Sequence, residues 1–212
     1  MFCGKMALRV SRLDVNRQFR KDCMTRKLSD MNLEELWQLF PIRLEEHNEC
    51  WETWYKEELA ILQAILPSNA IKRISHIGST SINTIWAKPT VDILIEVINE
   101  YDLQYIANIL VNKGYLCMNK SENRISLNKG YTINGFAEKV YHLHISYEGD
   151  NAELYFRDYL IENVSIAKKY EKLKLELWKK YEYNRDAYTD AKTDFIVKYT
   201  EQAEALYKNR YR

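Results

Sequence analysis

The spacing of apolar residues changes several times along the chain, and each change predicts an element. From Asn32, the residues Leu33, Leu36, Trp37 and Phe40 recur at helical spacing. Asn32 with Glu35 forms a candidate capping pair, and Pro41 stops the run. A longer helix is predicted over 47–66, with Trp51, Trp54, Tyr55, Leu59, Leu62 and Leu66 on one stripe before Pro67. The tryptophans keep the helical period, so they read as core packing and not as a stacking platform. The period then drops to two. In "TVDILIEVI", Val91, Ile93, Ile95 and Val97 alternate with Asp92, Leu94, Glu96 and Ile98, so a strand carries its carboxylates on one face and an apolar set on the other. Residues 101–112 return to helix, with Gly114 ending it.

Two further strands repeat the alternation. "RISLNK" separates Ile125 and Leu127 from Arg124, Ser126 and Asn128; "VYHLHISY" separates Tyr141, Leu143, Ile145 and Tyr147 from Val140, His142, His144 and Ser146. Between them, "GYTINGFAEK" reads as a hairpin connection with Gly130 and Gly135. The remaining residues are predicted helical. A first helix opens at Asp150 or Asn151 with Glu153 as reciprocal cap. Ile166, Tyr170, Leu173, Leu177 and Tyr181 mark a second, and Tyr188, Ala191, Phe195, Tyr199 and Leu206 a third. The expected organisation is an arm over 1–31, an α/β core over 32–150 and helices over 151–212 packed on the same core.

Composition narrows the class. With 16 tyrosines but only 6 glycines and 3 prolines in 212 residues, the chain favours helices over loops. No apolar run approaches the ~20 residues that cross a bilayer, and "MFCGKMALRV" lacks the apolar segment of a secretory signal, so a cytoplasmic location without membrane attachment is expected. Cys3, Cys23, Cys50 and Cys117 are scattered, without zinc-binding spacing or a disulfide framework. Charge is uneven: residues 1–28 hold eight lysines and arginines against two aspartates, leaving 23 basic against 28 acidic residues over the rest. Such an arm can bind nucleic acid by releasing counterions, but it is more simply a solvated or self-docked segment.

The chemistry gathers around "HIGSTSINTIWAKPTVDILIEV", residues 76–97. If the three strands are neighbours, Asp92, Glu96, Arg124, Asn128, His142 and His144 share one face, either bathed in water or forming the wall of a cleft. Carboxylates on so apolar a strand need compensation. Gly78 permits a tight turn, while Ser79, Thr80 and Ser81 offer hydroxyl and backbone N–H groups to a phosphate. A Gly-Ser turn beside an acid-bearing strand suits a phosphate cradle joined to a divalent ion that neutralises charge during phosphoryl displacement.

"HIGSTSINTIWAKPTVDI", "YHLHISYE", "FRDYL" and "YTDAKTDFI", in that order, with "LEELWQLFPI" ahead of them, resemble the GrpB family of the nucleotidyltransferase superfamily over about residues 32–200. The resemblance implies a nucleotidyltransferase-like α/β (α+β) fold, a small mixed sheet flanked by helices with a C-terminal helical extension. It implies a phosphate turn at Gly78 and Ser79, a first metal carboxylate at Asp92, and magnesium or manganese as cofactor. The second carboxylate belongs two residues on, where this chain has Leu94; Glu96 is the next residue on that face, about 6–7 Å further along the strand. His142 and His144 offer a rival: with Asp92 or Glu96 they could hold a transition metal, contact phosphate or act as a general base. Thr80, Lys88, Arg124, Arg157 and Lys192 complete the candidates for phosphate or nucleotide binding. Two functions therefore stand open. One is metal-dependent transfer of a nucleotidyl group to a hydroxyl acceptor; the other is a non-catalytic module that binds a nucleotide or another phosphorylated small molecule with a degenerate metal site.

Overall fold

A computed structural model describes residues 27–211 of the chain. The capping box at Asn32 forms as expected: Asn32 Oδ1 accepts from the Glu35 N–H at 2.9 Å, and Glu35 accepts from the Asn32 N–H at 3.0 Å, opening α1 (Leu33–Leu39). Helix α2 (Cys50–Ile65) places Trp51 and Leu62 wholly in the core. Helix α3 (Leu103–Val111) buries Leu103, Ile106, Ala107 and Leu110, and Gly114 follows it with φ +92°.

Five strands form one mixed sheet: β1 (Ile71–Ile77), β2 (Val91–Val97), β3 (Leu116–Lys120), β4 (Arg124–Thr132) and β5 (Gly135–Tyr147), in the order β1-β2-β5-β4-β3. The central pair β2/β5 is parallel and the other pairs are antiparallel. Two strands escape the sequence pattern for physical reasons. β1 carries a register shift between Ile71 and Arg73 that spoils its alternation, and β3 is an edge strand whose residues are all exposed, so it has no apolar face to read. The stretch 130–139 is mostly strand instead of connection, since the ladder continues to Thr132 opposite Gly135. The rings of Phe40, Tyr131 and Phe136, tilted or edge-on to one another with centroids 4.7–5.2 Å apart, pack at this extension.

The alternation in β2, β4 and β5 sorts the sheet into two unlike faces. Val91, Ile93, Ile95, Val97, Ile125, Leu127, Leu143 and Ile145 pack with α2 and α3 in the main core. The opposite face carries Asp92, Leu94, Glu96, His142, His144 and Ser146, and it does not open to water along its length. Leu154 of helix α4 (Ala152–Glu162) packs with Ile77 and Leu94 over it, while α5 (Val164–Tyr181), α6 (Arg185–Asp190) and α7 (Thr193–Tyr207) extend that cover. The third helix of the C-terminal pattern is thus two helices, interrupted at Ala191 and Lys192. The expected cap of α4 does not form: Asn151 Nδ2 donates to Glu96 Oε1 at 2.9 Å, and Glu153 pairs with Arg124. No helix among the described residues is long and apolar enough to cross a membrane, and Cys50 and Cys117 are free thiols.

Candidate functional site

Strand β1 ends beside the start of β2, with Ile77 opposite Asp92, and the chain leaves β1 through Gly78 into a 3₁₀ turn, Ser79–Ser81. Gly78 has φ +70° and ψ −172°, backbone that only glycine adopts readily. A Cβ there would also lie 2.3 Å from Asp92 Oδ2, so this glycine both makes the turn and admits the carboxylate against it. Ser81 Oγ donates to the Gly78 carbonyl at 2.6 Å. Thr80 Oγ1 donates to the Thr90 carbonyl at 3.1 Å and lies 3.0 Å from His76 Nε2, so this hydroxyl braces the turn at the edge of the hollow that Thr80 helps to line. Ser79 Oγ accepts from Lys174 Nζ at 2.9 Å; the same ammonium donates to the Trp86 carbonyl.

The parallel register of β2 and β5 sets Asp92 opposite His142. His142 Nδ1 lies 3.1 Å from Asp92 Oδ1, and His144 Nε2 lies 3.8 Å from the same oxygen. On its other side, His142 Nε2 meets Arg185 Nη2 at 3.2 Å and the Tyr131 hydroxyl at 2.8 Å, while Arg185 Nη1 donates to that hydroxyl at 2.8 Å. An arginine can only donate, so His142 Nε2 accepts and Nδ1 carries the proton toward Asp92. Burial, with Arg185 and Lys88 nearby, holds His142 down at about 4 despite the attraction of Asp92. For Asp92, burial works against ionisation, but the hydrogen bond from His142 and the nearby His144 ring outweigh it and keep the carboxyl well below its usual range.

Asp92 and Ser79 open into one hollow of about 630 Å³, roofed by α5, α6 and α7. Four basic side chains enter it: Lys88 from the loop before β2, Lys174 from α5, Arg185 from α6 and Lys192 from the break before α7. Aromatic rings seat the lysines, with Lys88 and Lys192 Nζ 5.5 and 4.5 Å from the Tyr188 centroid and Lys174 Nζ 4.9 Å from that of Tyr170. Burial lowers all three lysines, Lys88 and Lys174 to about 7 and Lys192 to about 8; mutual repulsion adds to the effect and Asp92 opposes it.

The other sequence-derived candidates lie elsewhere. Glu96 is on the same face as Asp92 but wholly buried, bonded to Arg73 Nε at 2.5 Å and Nη2 at 2.9 Å and to Asn151, outside the hollow. It cannot join a metal site with Asp92, because those donors already occupy its oxygens. Arg124 is spent on Glu153 and Asp150. Arg157 donates to the His76 carbonyl at 2.8 Å and to Asp158, so it ties α4 to β1 and does not reach the hollow. Conversely, Lys174, Arg185 and Tyr131 enter the site without having been singled out. Lys174 carried a legible signal, a lysine one turn beyond Tyr170 beside the apolar stripe of α5. Arg185 and Tyr131 had none, since only the tertiary fold brings them to His142. Residues 1–26 of the basic arm lie outside the described residues.

Magnesium or manganese held by Asp92 and a neighbouring acid does not fit this donor set. The second-acid position is Leu94, fully buried against Ile77 and Leu154, and the wall around Asp92 is cationic. A transition metal on the histidines fits no better, because both ring nitrogens of His142 are engaged. Among the described residues, no group of three or more His, Cys, Asp or Glu side chains could hold a metal ion.

Comparison with known proteins identifies the lineage. The family model described as "GrpB protein" matches residues 41–202. The glutamate-rich protein GrpB of Alkalihalophilus pseudofirmus is 33% identical over 159 residues, spanning 71% of this chain and 88% of that protein. The crystal structure of conserved protein GrpB from Enterococcus faecalis matches with a TM-score of 0.67 at 31% identity, covering 78% of this chain and 99% of that one. The Cid1 RNA terminal uridylyl transferase matches with a TM-score of 0.44 at 13% identity, over 78% of this chain and 46% of that one, a likeness that bears on neither substrate nor mechanism. The five-stranded mixed sheet with its flanking helices is the small α/β arrangement, with helices following it in the chain, expected from the sequence. By the family match and by its relatives, the chain belongs to the GrpB family.

Proposed function

We propose that this protein binds a nucleotide or another phosphorylated small molecule in the hollow beneath the Gly78–Ser79 turn, as a binding module whose two-carboxylate metal centre has been lost. One observation carries the reading: Lys88, Lys174, Lys192 and Arg185 arrive from four separate segments and line the same hollow as Ser79. Burying so much like charge is costly, and an anionic ligand is what compensates it. A volume of about 630 Å³ suits a small organic phosphate. Phe156, Tyr170 and Ile196 supply an apolar wall for its non-phosphate part.

Nucleotidyl transfer is the weaker reading. It asks for a second acid where Leu94 packs against Leu154, and for a free Glu96 where Arg73 holds that carboxylate. The test is a thermal-shift screen of nucleotides and simple organic phosphates against the full chain, because a ligand at a hundred times its Kd stabilises by about 2.7 kcal/mol. A ligand that raises the unfolding temperature of the wild-type protein, but not of Lys174→Met, supports the reading. Silence across the panel overturns it.

A further inference from the structure

Resting on that reading, we infer that the hollow takes its ligand as a free phosphoanion, with Lys88, Lys174 and Lys192 neutralising it in place of a divalent cation. A metal that bridges protein and phosphate needs carboxylate oxygens turned toward the ligand. Asp92 offers little: Oδ1 is engaged by His142 at 3.1 Å with His144 at 3.8 Å, and Oδ2 lies against Gly78, so close that a Cβ there would come within 2.3 Å. The next acid position on the strand is apolar and packed, and the one after that belongs to Arg73. A divalent ion placed beside Asp92 would meet the repulsion of four neighbouring cations with one carboxylate in return.

The lysines already stand where positive charge is required. Lys174 is 2% exposed, and its ammonium is fixed by two acceptors, Ser79 Oγ at 2.9 Å and the Trp86 carbonyl. An ammonium has three N–H groups, which leaves one for a ligand oxygen beside the serine hydroxyl. Lys88 and Lys192 both lie over the Tyr188 ring, at 5.5 and 4.5 Å from its centroid, and both sense Asp92, as Lys174 does. Within this arrangement Asp92 is a counter-charge that keeps the lysines together until an anion binds, and it competes with that anion. That role is opposite in sign to a metal ligand's, and the difference can be measured.

The experiment is calorimetric titration of the full chain with inorganic pyrophosphate and, separately, ATP, in EDTA and then with magnesium or manganese. The expected result is binding in EDTA that the metal leaves unchanged or weakens, since metal-bound pyrophosphate carries less charge. Lys174→Met should weaken it by about tenfold or more, about 1.4 kcal/mol or more, while Lys174→Arg retains most of it. Asp92→Asn should bind at least as tightly as wild type, with thermal unfolding confirming that each variant is folded. Binding that appears only with metal and vanishes in Asp92→Asn overturns the inference but leaves phosphate binding standing. No binding of either probe, with or without metal, overturns the inference and the proposed function together.

Discussion

Asp92 and Glu96 stand four residues apart on one face of one strand, yet they belong to different kinds of structure. Glu96 is a finished ion pair, wholly buried, with both oxygens taken by Arg73 and further donors in Asn151 and the Gly149 N–H. The C-terminal segment closes this end, because Arg73 and Asn151 also donate to the Tyr211 carbonyl at 3.1 and 3.3 Å. Asp92 faces a hollow in which cations outnumber it and its nearest partners are histidines. One carboxylate is sealed to hold the fold; the other is left facing a space that a ligand can enter. The same residue type on the same sheet face therefore says little until the covering helices are known.

Breaking each end should separate stability from binding. Glu96→Ala strands Arg73 and removes an acceptor from Asn151. Loss of one partner of a buried pair costs about 3–5 kcal/mol, and the partial exposure of Arg73 brings the expectation below that range, to about 2–3 kcal/mol. Urea denaturation should report that loss while pyrophosphate affinity in the folded protein stays within about threefold of wild type, under 1 kcal/mol. A comparable fall in affinity would mean that the two ends act as one site.

Gly78→Ala is expected to damage the other end. The backbone conformation alone costs of order 1–3 kcal/mol for a residue with a side chain, and the new Cβ must push Asp92 away. Because the turn that carries Ser79 is displaced, anion binding should fall below detection by calorimetry, with a loss of stability comparable to that of Glu96→Ala. Normal binding in this variant would dissociate the turn from the hollow.

Much of this comparison was legible in the sequence, and the rest was not. Period-two spacing sorts β2, β4 and β5 into their two faces, and it alone places Asp92, His142 and His144 on a common face. Gly78, Ser79, Lys88 and Lys192 reach the hollow as the motifs suggested. What spacing could not supply was the layer above the sheet. Whether Glu96 meets a ligand or Arg73 depends on β1, whose register shift hid it, and on Asn151, which leaves its capping position to bond the carboxylate. Arg185 reaches His142 across 43 residues of chain, a distance over which no local pattern carries information.

A third expectation concerns pH. Lys88 and Lys174, at about 7, and Lys192, at about 8, hold fewer protons in the folded chain than at their ordinary value of 10.5. Below pH 7 both states are protonated and folding bears the full cost of the buried charge. From there toward 10.5 the unfolded chain binds more protons, so stability rises with pH. Lys174 faces Lys192, Glu171, Lys88 and Asp92, and Lys174→Met removes its own contribution. The gain in stability between pH 7 and 9, followed by urea denaturation, should be visibly smaller in Lys174→Met than in wild type. An equal gain would mean that the lysines are not held in the cluster described.

The smallest expected effect lies at the boundary between the two ends. Arg124 pairs with Glu153, whose side chain lines the hollow, and with Asp150, which does not. Both pairs are partly exposed, so Arg124→Gln should cost under about 1 kcal/mol of stability. Its effect on binding runs through Glu153: without Arg124, that carboxylate loses its counter-charge beside the hollow and repels an incoming anion. Pyrophosphate affinity should fall by about two- to threefold, well under 1 kcal/mol, and the deficit should shrink as salt is raised, because a partly exposed charge is screened within about a Debye length. A loss of tenfold or more, independent of salt, would instead place the guanidinium of Arg124 on the ligand itself and extend the binding surface toward the Glu96 end.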